Sequence, residues 1–278
     1  LARYAATTPL SLAHLSELQV PPRDLVDLAA RAGFASIGLR IAPAVPGGIA
    51  YPLTGPGERR ALRRRLADAG VGLLYIELLA ITRDLDPAAH RPMIETGAEL
   101  GATRLAVTGD DADRGLVAAK MAELCDIAGA VGIAVDLEFM AFRAVRSLEE
   151  ALEIVRRTGR SNAHVLVDAL HFCRSGSGLD TLADADPRLI GGFQLCDAPG
   201  AAPAGIEALA REARTDRRLP GAGALPLHAL VAAIPDWTPL GLELPIAGQY
   251  PNLDPVARAT LMVRSTRSWL SARTGSDR

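Results

Sequence analysis

The sequence predicts an α/β protein folded as a single (β/α)8 TIM barrel over residues 1–278. Short apolar, β-branched runs alternate with stretches of helical periodicity, which implies a parallel sheet covered by helices. The alternation recurs eight times at an even pitch of roughly thirty-odd residues, the count and spacing of a closed barrel. Several of the apolar runs end in a carboxylate, an amide or an imidazole, as barrel strands do where they open onto a site.

Residues 11–15 form a short first strand ending near His14. Pro21-Pro22 opens a helix whose apolar face is Leu25, Leu28, Ala29 and Ala32, and Gly33 stops it. The second strand, 36–42, carries Arg40. Residues 43–57 are rich in Pro and Gly, contain Tyr51, and are too apolar for a simple solvated loop; a lid or wall over a pocket is expected. A basic helix at 58–69 leads to the third strand, 72–81, with Glu77 in its second half. A helix at 88–100 precedes the fourth strand, 104–108, and Gly109-Asp110-Asp111. The helix at 113–130 shows Met121, Leu124, Cys125 and Ala128 at i, i+3, i+4 and i+7.

The fifth strand is 133–139. Ser147 caps the next helix with Glu150 at the capping-box spacing, and Leu148, Ala151, Leu152 and Val155 form its stripe. The sixth strand, 165–169, runs into Asp168-Ala-Leu-His171. Ser175-Gly-Ser-Gly178 reads as a plain turn, or less simply as a phosphate cradle. A weak helix follows near 179–185, then the seventh strand at 190–195. Residues 198–223 form a long insertion ending in Arg217-Arg-Leu-Pro-Gly-Ala-Gly223. A helix at 226–233, the eighth strand at 240–244 and a closing helix at 254–271 complete the chain.

Composition narrows the function. Hydrophobic residues make up 49%, enough for a large core, while aromatics are only 4%, so that core is Ala, Leu, Val and Ile. A net charge of −2 gives no electrostatic case for nucleic acid or an anionic membrane. No apolar run approaches ~18 residues, and the first residues lack the basic start and apolar core of a signal peptide. Cys125, Cys173 and Cys196 show no CxxC spacing, which suggests reduced thiols and a cytoplasmic setting.

Catalytic residues of a barrel belong at the C-terminal ends of strands, facing inward. Four consecutive strands comply: Glu138 ends the fifth, Asp168 the sixth, Gln194 lies near the end of the seventh, and Glu243 near the end of the eighth. Alternation puts Asp136 on the same face as Glu138, one layer below. A single acid at a strand end ordinarily caps the following helix; four polar endings on neighbouring strands ask for more. Three carboxylates and an amide on one axis are costly if ionised and unpaired. One divalent cation resolves this, and hard oxygen ligands suit Mn²⁺ or Mg²⁺, with Co²⁺ or Zn²⁺ as further candidates. Arg217 would offset the remaining negative charge. His14, Arg40, Tyr51, Glu77 and Asp197 are candidate substrate contacts, for which a structural role is the plainer reading; the same holds for Asp110.

On Glu138, Asp168-Ala-Leu-His171, the strand-seven position, Arg217-x-x-Pro220-Gly221-x-Gly223 and Glu243, the chain resembles the xylose isomerase-like TIM barrels, the sugar phosphate isomerases and epimerases, over nearly its whole length. The resemblance to the ketose 3-epimerase branch implies that Glu138, Asp168 and Glu243 bind one metal together with a strand-seven His, and that His171 and Arg217 contact substrate. This sequence has Gln194 in place of that His, as the 3-dehydroshikimate dehydratase branch does. The endonuclease IV branch needs many His for three zinc ions, and the five His here argue against it.

The expected chemistry is Lewis-acid stabilisation of an enolate, with Glu138 or Glu243 as base, His171 as donor and Arg217 positioning the substrate. Reprotonation gives an isomerase or epimerase of a small polyhydroxy carbonyl compound, phosphorylated or not. Expulsion of a β-hydroxyl gives a lyase. A barrel that binds a small ligand without turnover is a third reading, and a homodimer through the outer helices is an expectation from the architecture alone.

Overall fold

The computed structural model describes residues 4–45 and 47–275; residues 1–3, 46 and 276–278 lie outside the described residues. Eight parallel strands close into a barrel in sequence order: β1 Leu10–Leu12, β2 Ser36–Arg40, β3 Gly72–Ile81, β4 Arg104–Gly109, β5 Ala134–Glu138, β6 Ala163–Asp168, β7 Ile190–Leu195 and β8 Leu240–Leu242. β1 pairs with β8, which leaves no open sheet edge. Among the described residues, ten helices pack outside: α1 Pro22–Ala32, α2 Pro56–Ala69, α3 Arg91–Leu100, α4 Arg114–Gly129, α5 Leu148–Thr158, α6 Ala169–Ser175, α7 Leu179–Ala183, α8 Ile206–Thr215, α9 Leu227–Ala233 and α10 Pro255–Gly275. Among the described residues, no helix is long and apolar enough to cross a membrane.

The predicted stripes face inward. Met121, Leu124, Cys125 and Ala128 of α4, and Leu148, Ala151, Leu152 and Val155 of α5, are all buried in the main core between sheet and helices. Burying each Leu or Ile there contributes on the order of 2 kcal/mol, which is why patterning dominates local propensity. A second, smaller apolar cluster holds Tyr75, Leu78, Ala106, Met140 and Leu166. Ser147 Oγ accepts from Glu150 N at 3.4 Å, so the cap is real. The Glu150 carboxyl, however, accepts from the backbone N of Arg146 at 2.7 Å, one residue before the box would place it.

Four expectations are corrected. β1 ends at Leu12, and His14 opens a 3-10 turn, His14–Glu17. The helix expected at 88–100 begins as a 3-10 turn, Ala88–His90, because Pro92 enters the first turn of α3. Residues following Asp168 form α6, because the Asp168 side chain caps them. The insertion at 198–223 contains a full helix, α8. The Ser175–Gly178 segment is a turn closed on itself: Ser177 N donates to Ser175 Oγ at 3.1 Å, and Ser177 Oγ accepts from Leu148 N at 3.0 Å.

Candidate active site

Register brings the strand-end side chains together. Thr108 pairs with Glu138 across β4 and β5, and Asp168 pairs with Gln194 across β6 and β7. Glu243 follows immediately after β8. Glu138, Asp168 and Glu243 each offer one carboxylate oxygen to a cluster whose atoms lie within 4.8 Å of one another, and all three residues are buried. Gln194 joins this group, its Nε2 donating to Glu243 Oε1 at 3.4 Å.

Asp168 does two things at once. Its Oδ1 accepts from His171 N at 2.9 Å, the cap that opens α6, and its Oδ2 accepts from Arg217 Nη1 at 2.5 Å. Arg217 is 1% exposed and spans the cluster, donating also from Nη2 to Glu243 Oε2 at 2.7 Å. Its Nε donates to Ala213 O at 2.8 Å, so the end of α8 fixes the guanidinium. His171 Nε2 stands 3.5 Å from Arg217 Nη2 and 3.7 Å from Glu138 Oε1. Arg217 can only donate, so a hydrogen bond between the two needs an unprotonated Nε2.

These surroundings pull the acids apart. Burial pushes the Glu138 carboxyl well above the usual carboxylate range, and the charges of Glu243 and Asp168 add to it. Burial also raises Glu243, against the opposing pull of Arg217. Burial acts the same way on Asp168, but Arg217, His171 and their hydrogen bonds outweigh it, and its pKa is lowered. His171 is driven down to about 4 by burial, and its ring is neutral at ordinary pH.

The cluster opens on a cavity of about 200 Å³ lined by Glu138, Gln194, Glu243, Arg217 and His171 on one side, with Arg40 and Glu77 also on its wall. Its apolar lining includes Leu15, Leu18, Leu78, Met140 and Phe142. Ala44, Val45, Gly48 and Ile49 also line it, so the Pro- and Gly-rich 43–57 segment contributes a wall. Tyr51 lies behind that wall. It stacks on His14 with ring centroids 5.3 Å apart and donates to Leu18 O at 3.1 Å.

His14 is also behind the wall. Its Nδ1 accepts from Arg40 N at 2.9 Å and its Nε2 donates to Val20 O at 3.0 Å. Both ring nitrogens are used, and burial lowers its pKa to about 4. Asp197 points into the loop after β7, where its carboxylate accepts from the backbone N of Ala198, Gly221, Gly223 and Leu225 at 2.8–3.1 Å. That explains the Pro220-Gly221-x-Gly223 pattern: a Cβ at Gly223 would overlap the Asp197 carboxylate. His14, Tyr51 and Asp197, expected as candidate substrate contacts, are not among the residues that line the cavity, and each is bonded to the chain behind it. Asp110 pairs with Arg143, which lines the cavity.

One buried polar group was not anticipated. Below Glu138, Asp136 accepts from the Tyr75 hydroxyl and from Arg104 Nη1 at 2.6 and 2.7 Å, with His164 Nδ1 at 3.4 Å. The signal was the Gly191-Gly192 pair on β7, since a Cβ at Gly192 would overlap the Tyr75 hydroxyl and one at Gly191 would crowd Arg104 and Asp136.

A family model described as xylose isomerase-like TIM barrel matches residues 26–268. The chain belongs to that family. Within it, the inosose isomerase of Bacillus subtilis (strain 168) is 34% identical over 116 residues, which is 41% of this chain and 40% of that protein. The match therefore spans well under half the length of that relative. Among solved structures of the fold, the IOLI protein with a binding zinc atom superposes with a TM-score of 0.77 at 21% identity, covering 96% of this chain and 99% of that one. The probable 3-DHS dehydratase AsbF from Bacillus anthracis superposes with a TM-score of 0.67 at 16% identity, covering 96% and 99%. At these identities the structural matches show the shared barrel.

Proposed function

We propose that this chain is a divalent-metal-dependent isomerase or epimerase of a small polyhydroxy carbonyl compound, a sugar, sugar phosphate or cyclic ketone. It would work by moving a proton at the carbon next to the carbonyl. The observation that carries the reading is the convergence of Glu138, Asp168 and Glu243 within 4.8 Å at the mouth of a closed barrel. The partial identity to an inosose isomerase supports the reaction class. The zinc atom in the similar IOLI structure supports a cation in the site.

The donor set fits such a cation. Glu138 Oε1 and Gln194 Oε1 are buried and have no hydrogen-bond partner, an arrangement that costs about 1–3 kcal/mol per group unless something occupies it. Glu138, Asp168, Gln194 and Glu243 would hold the ion, all through hard oxygen atoms. A bound divalent cation would supply Lewis acidity toward a carbonyl oxygen and the positive charge that keeps these carboxyls ionised.

The chain's own residues do the rest. Glu138 ends β5 and Glu243 follows β8, so either carboxylate can take a proton from the substrate and, as the acid so formed, return it. Arg217 lines the cavity from a guanidinium fixed by Asp168, Glu243 and Ala213 and would orient a substrate oxygen. His171, neutral and lining the cavity, would hydrogen-bond a substrate oxygen. The apolar lining excludes water from the carboxylates that take up and return the proton.

Gln194 favours a second reading, a lyase similar to 3-dehydroshikimate dehydratase, in which loss of a β-hydroxyl follows the same proton removal. The two are separated by one assay. Ultraviolet absorbance growing with 3-dehydroshikimate, from the new double bond, would establish the lyase. Proton exchange on a polyhydroxy ketone without loss of water would establish the isomerase. Elemental analysis of wild type, Asp168→Ala and Glu138→Ala tests the metal: full retention in both variants would remove the site.

A further inference from the structure

The cavity has a second polar pole. Arg40 is the last residue of β2 and pairs in register with Glu77 on β3. Both line the cavity that Glu138 and Glu243 open onto, and they are only 6% and 4% exposed. Their ion pair is loose, with Arg40 Nη2 3.6 Å from Glu77 Oε2. Arg40 Nε and Glu77 Oε2 are buried without a hydrogen-bond partner. Asp136 and Glu17 are not left so: Asp136 is held by Tyr75 and Arg104, and Glu17 by two nitrogens of Arg258.

The surrounding chain is shaped to hold this pair in place. Glu77 lies across β2 at Gly38, where a Cβ would overlap Oε1. His14 N approaches Glu77 Oε1 at 3.4 Å, and the His14 ring accepts from Arg40 N at 2.9 Å. An unsatisfied donor beside an unsatisfied acceptor, preorganised on two neighbouring strands, is half of a hydrogen-bonded recognition site.

We propose that Arg40 and Glu77 bind two neighbouring hydroxyls of the substrate, one accepting from Arg40 Nε and the other donating to Glu77 Oε2. The pair thereby selects polyhydroxylated compounds over deoxygenated ones. This names two specificity-determining residues for the reading above and rests on it for the reaction, while diol binding stands on its own. An anionic group fits this pole worse, because a carboxylate or phosphate would satisfy Arg40 but face Glu77. An apolar group would leave both atoms unpaired. A site built to hydrogen-bond hydroxyls rejects analogues lacking them strongly. Leu15, Leu18 and Ile49, which line the same cavity, suit the C–H face of a polyol ring.

The test is titration of Mg²⁺-loaded protein with myo-inositol and with cyclohexanol, followed by ligand-observed NMR. Wild type is expected to bind myo-inositol and to prefer it over cyclohexanol by roughly tenfold or more. A paired apolar replacement, Arg40→Met with Glu77→Leu, removes both charges together and so avoids stranding one of them. It should lose that preference while keeping its metal stoichiometry. Glu77→Gln, nearly isosteric, should weaken myo-inositol binding in the same direction. Equal binding of the two probes by wild type, or an unchanged preference in the paired variant, would overturn the proposal. Solvent exchange by wild type is read separately. Its absence would sink the isomerase reading and leave the diol titration to decide this pole.

Discussion

The Arg217 guanidinium lies 2.5 Å from the Asp168 carboxylate, inside the acidic cluster and not at its edge. Its other nitrogen holds Glu243. Without a cation, this arginine is the main charge that makes the cluster tolerable. Arg217→Met should therefore cost about 3–5 kcal/mol at neutral pH, the usual penalty for stranding buried charge. Urea unfolding with chelator and with Mn²⁺ checks this: the deficit should shrink when Mn²⁺ is present.

Asp168 serves as cap and as cluster member through different oxygens. Asp168→Asn keeps an oxygen for the His171 N–H and removes the charge. Asp168→Ala removes both. The Ala variant should be less stable than the Asn variant by about 1 kcal/mol, the worth of a cap. Both should lose bound metal by elemental analysis. Equal stability of the two variants would mean the cap carries no weight.

Burial first, opposed by Arg40, raises the Glu77 pKa to about 7. A raised acid favours the folded state while it is protonated. Its contribution is fully present below the unfolded value near 4.5 and is lost as pH rises through about 7. The metal-free protein should lose on the order of 3 kcal/mol from this group over that window. Glu77→Gln should flatten the loss, read from urea midpoints at a series of pH values.

The Asp197 carboxylate organises the loop that carries Arg217. Asp197→Ala leaves buried N–H groups without an acceptor and should cost at least about 2 kcal/mol. Limited proteolysis should cut within 198–223 faster than in wild type. Unchanged cleavage would contradict the loop-holding role.

The fold was legible because its periodicity is strong. β3 and β7 fall on 72–81 and 190–195 as the alternation predicts, and every strand that ends in a polar residue opens onto the site or its walls. α8 was not legible, because the Gly-, Ala- and Pro-rich 198–205 stretch before it reads as loop and masks the periodicity of Ile206–Thr215. Which carboxylate meets Arg217 depends on pairings 49 and 26 residues apart, which no local pattern records. Asp197 had the same position relative to its strand as a substrate contact would have; only its rotation into the loop decides otherwise. The Tyr75–Asp136–Arg104 group left one trace, the two glycines that make room for it.

The central claim is that Glu138 and Glu243, in the metal-loaded barrel, move a proton beside a substrate carbonyl. The most direct test is proton NMR in deuterated water with Mg²⁺-loaded protein and a panel of ketoses, inosose-like cyclic ketones and 3-dehydroshikimate. Loss of the signal next to the carbonyl is expected for at least one polyhydroxy ketone, at a rate that falls by roughly a hundredfold or more in Glu138→Gln and Glu243→Gln. Exchange with none of these compounds, or exchange unaffected in both variants, would contradict it.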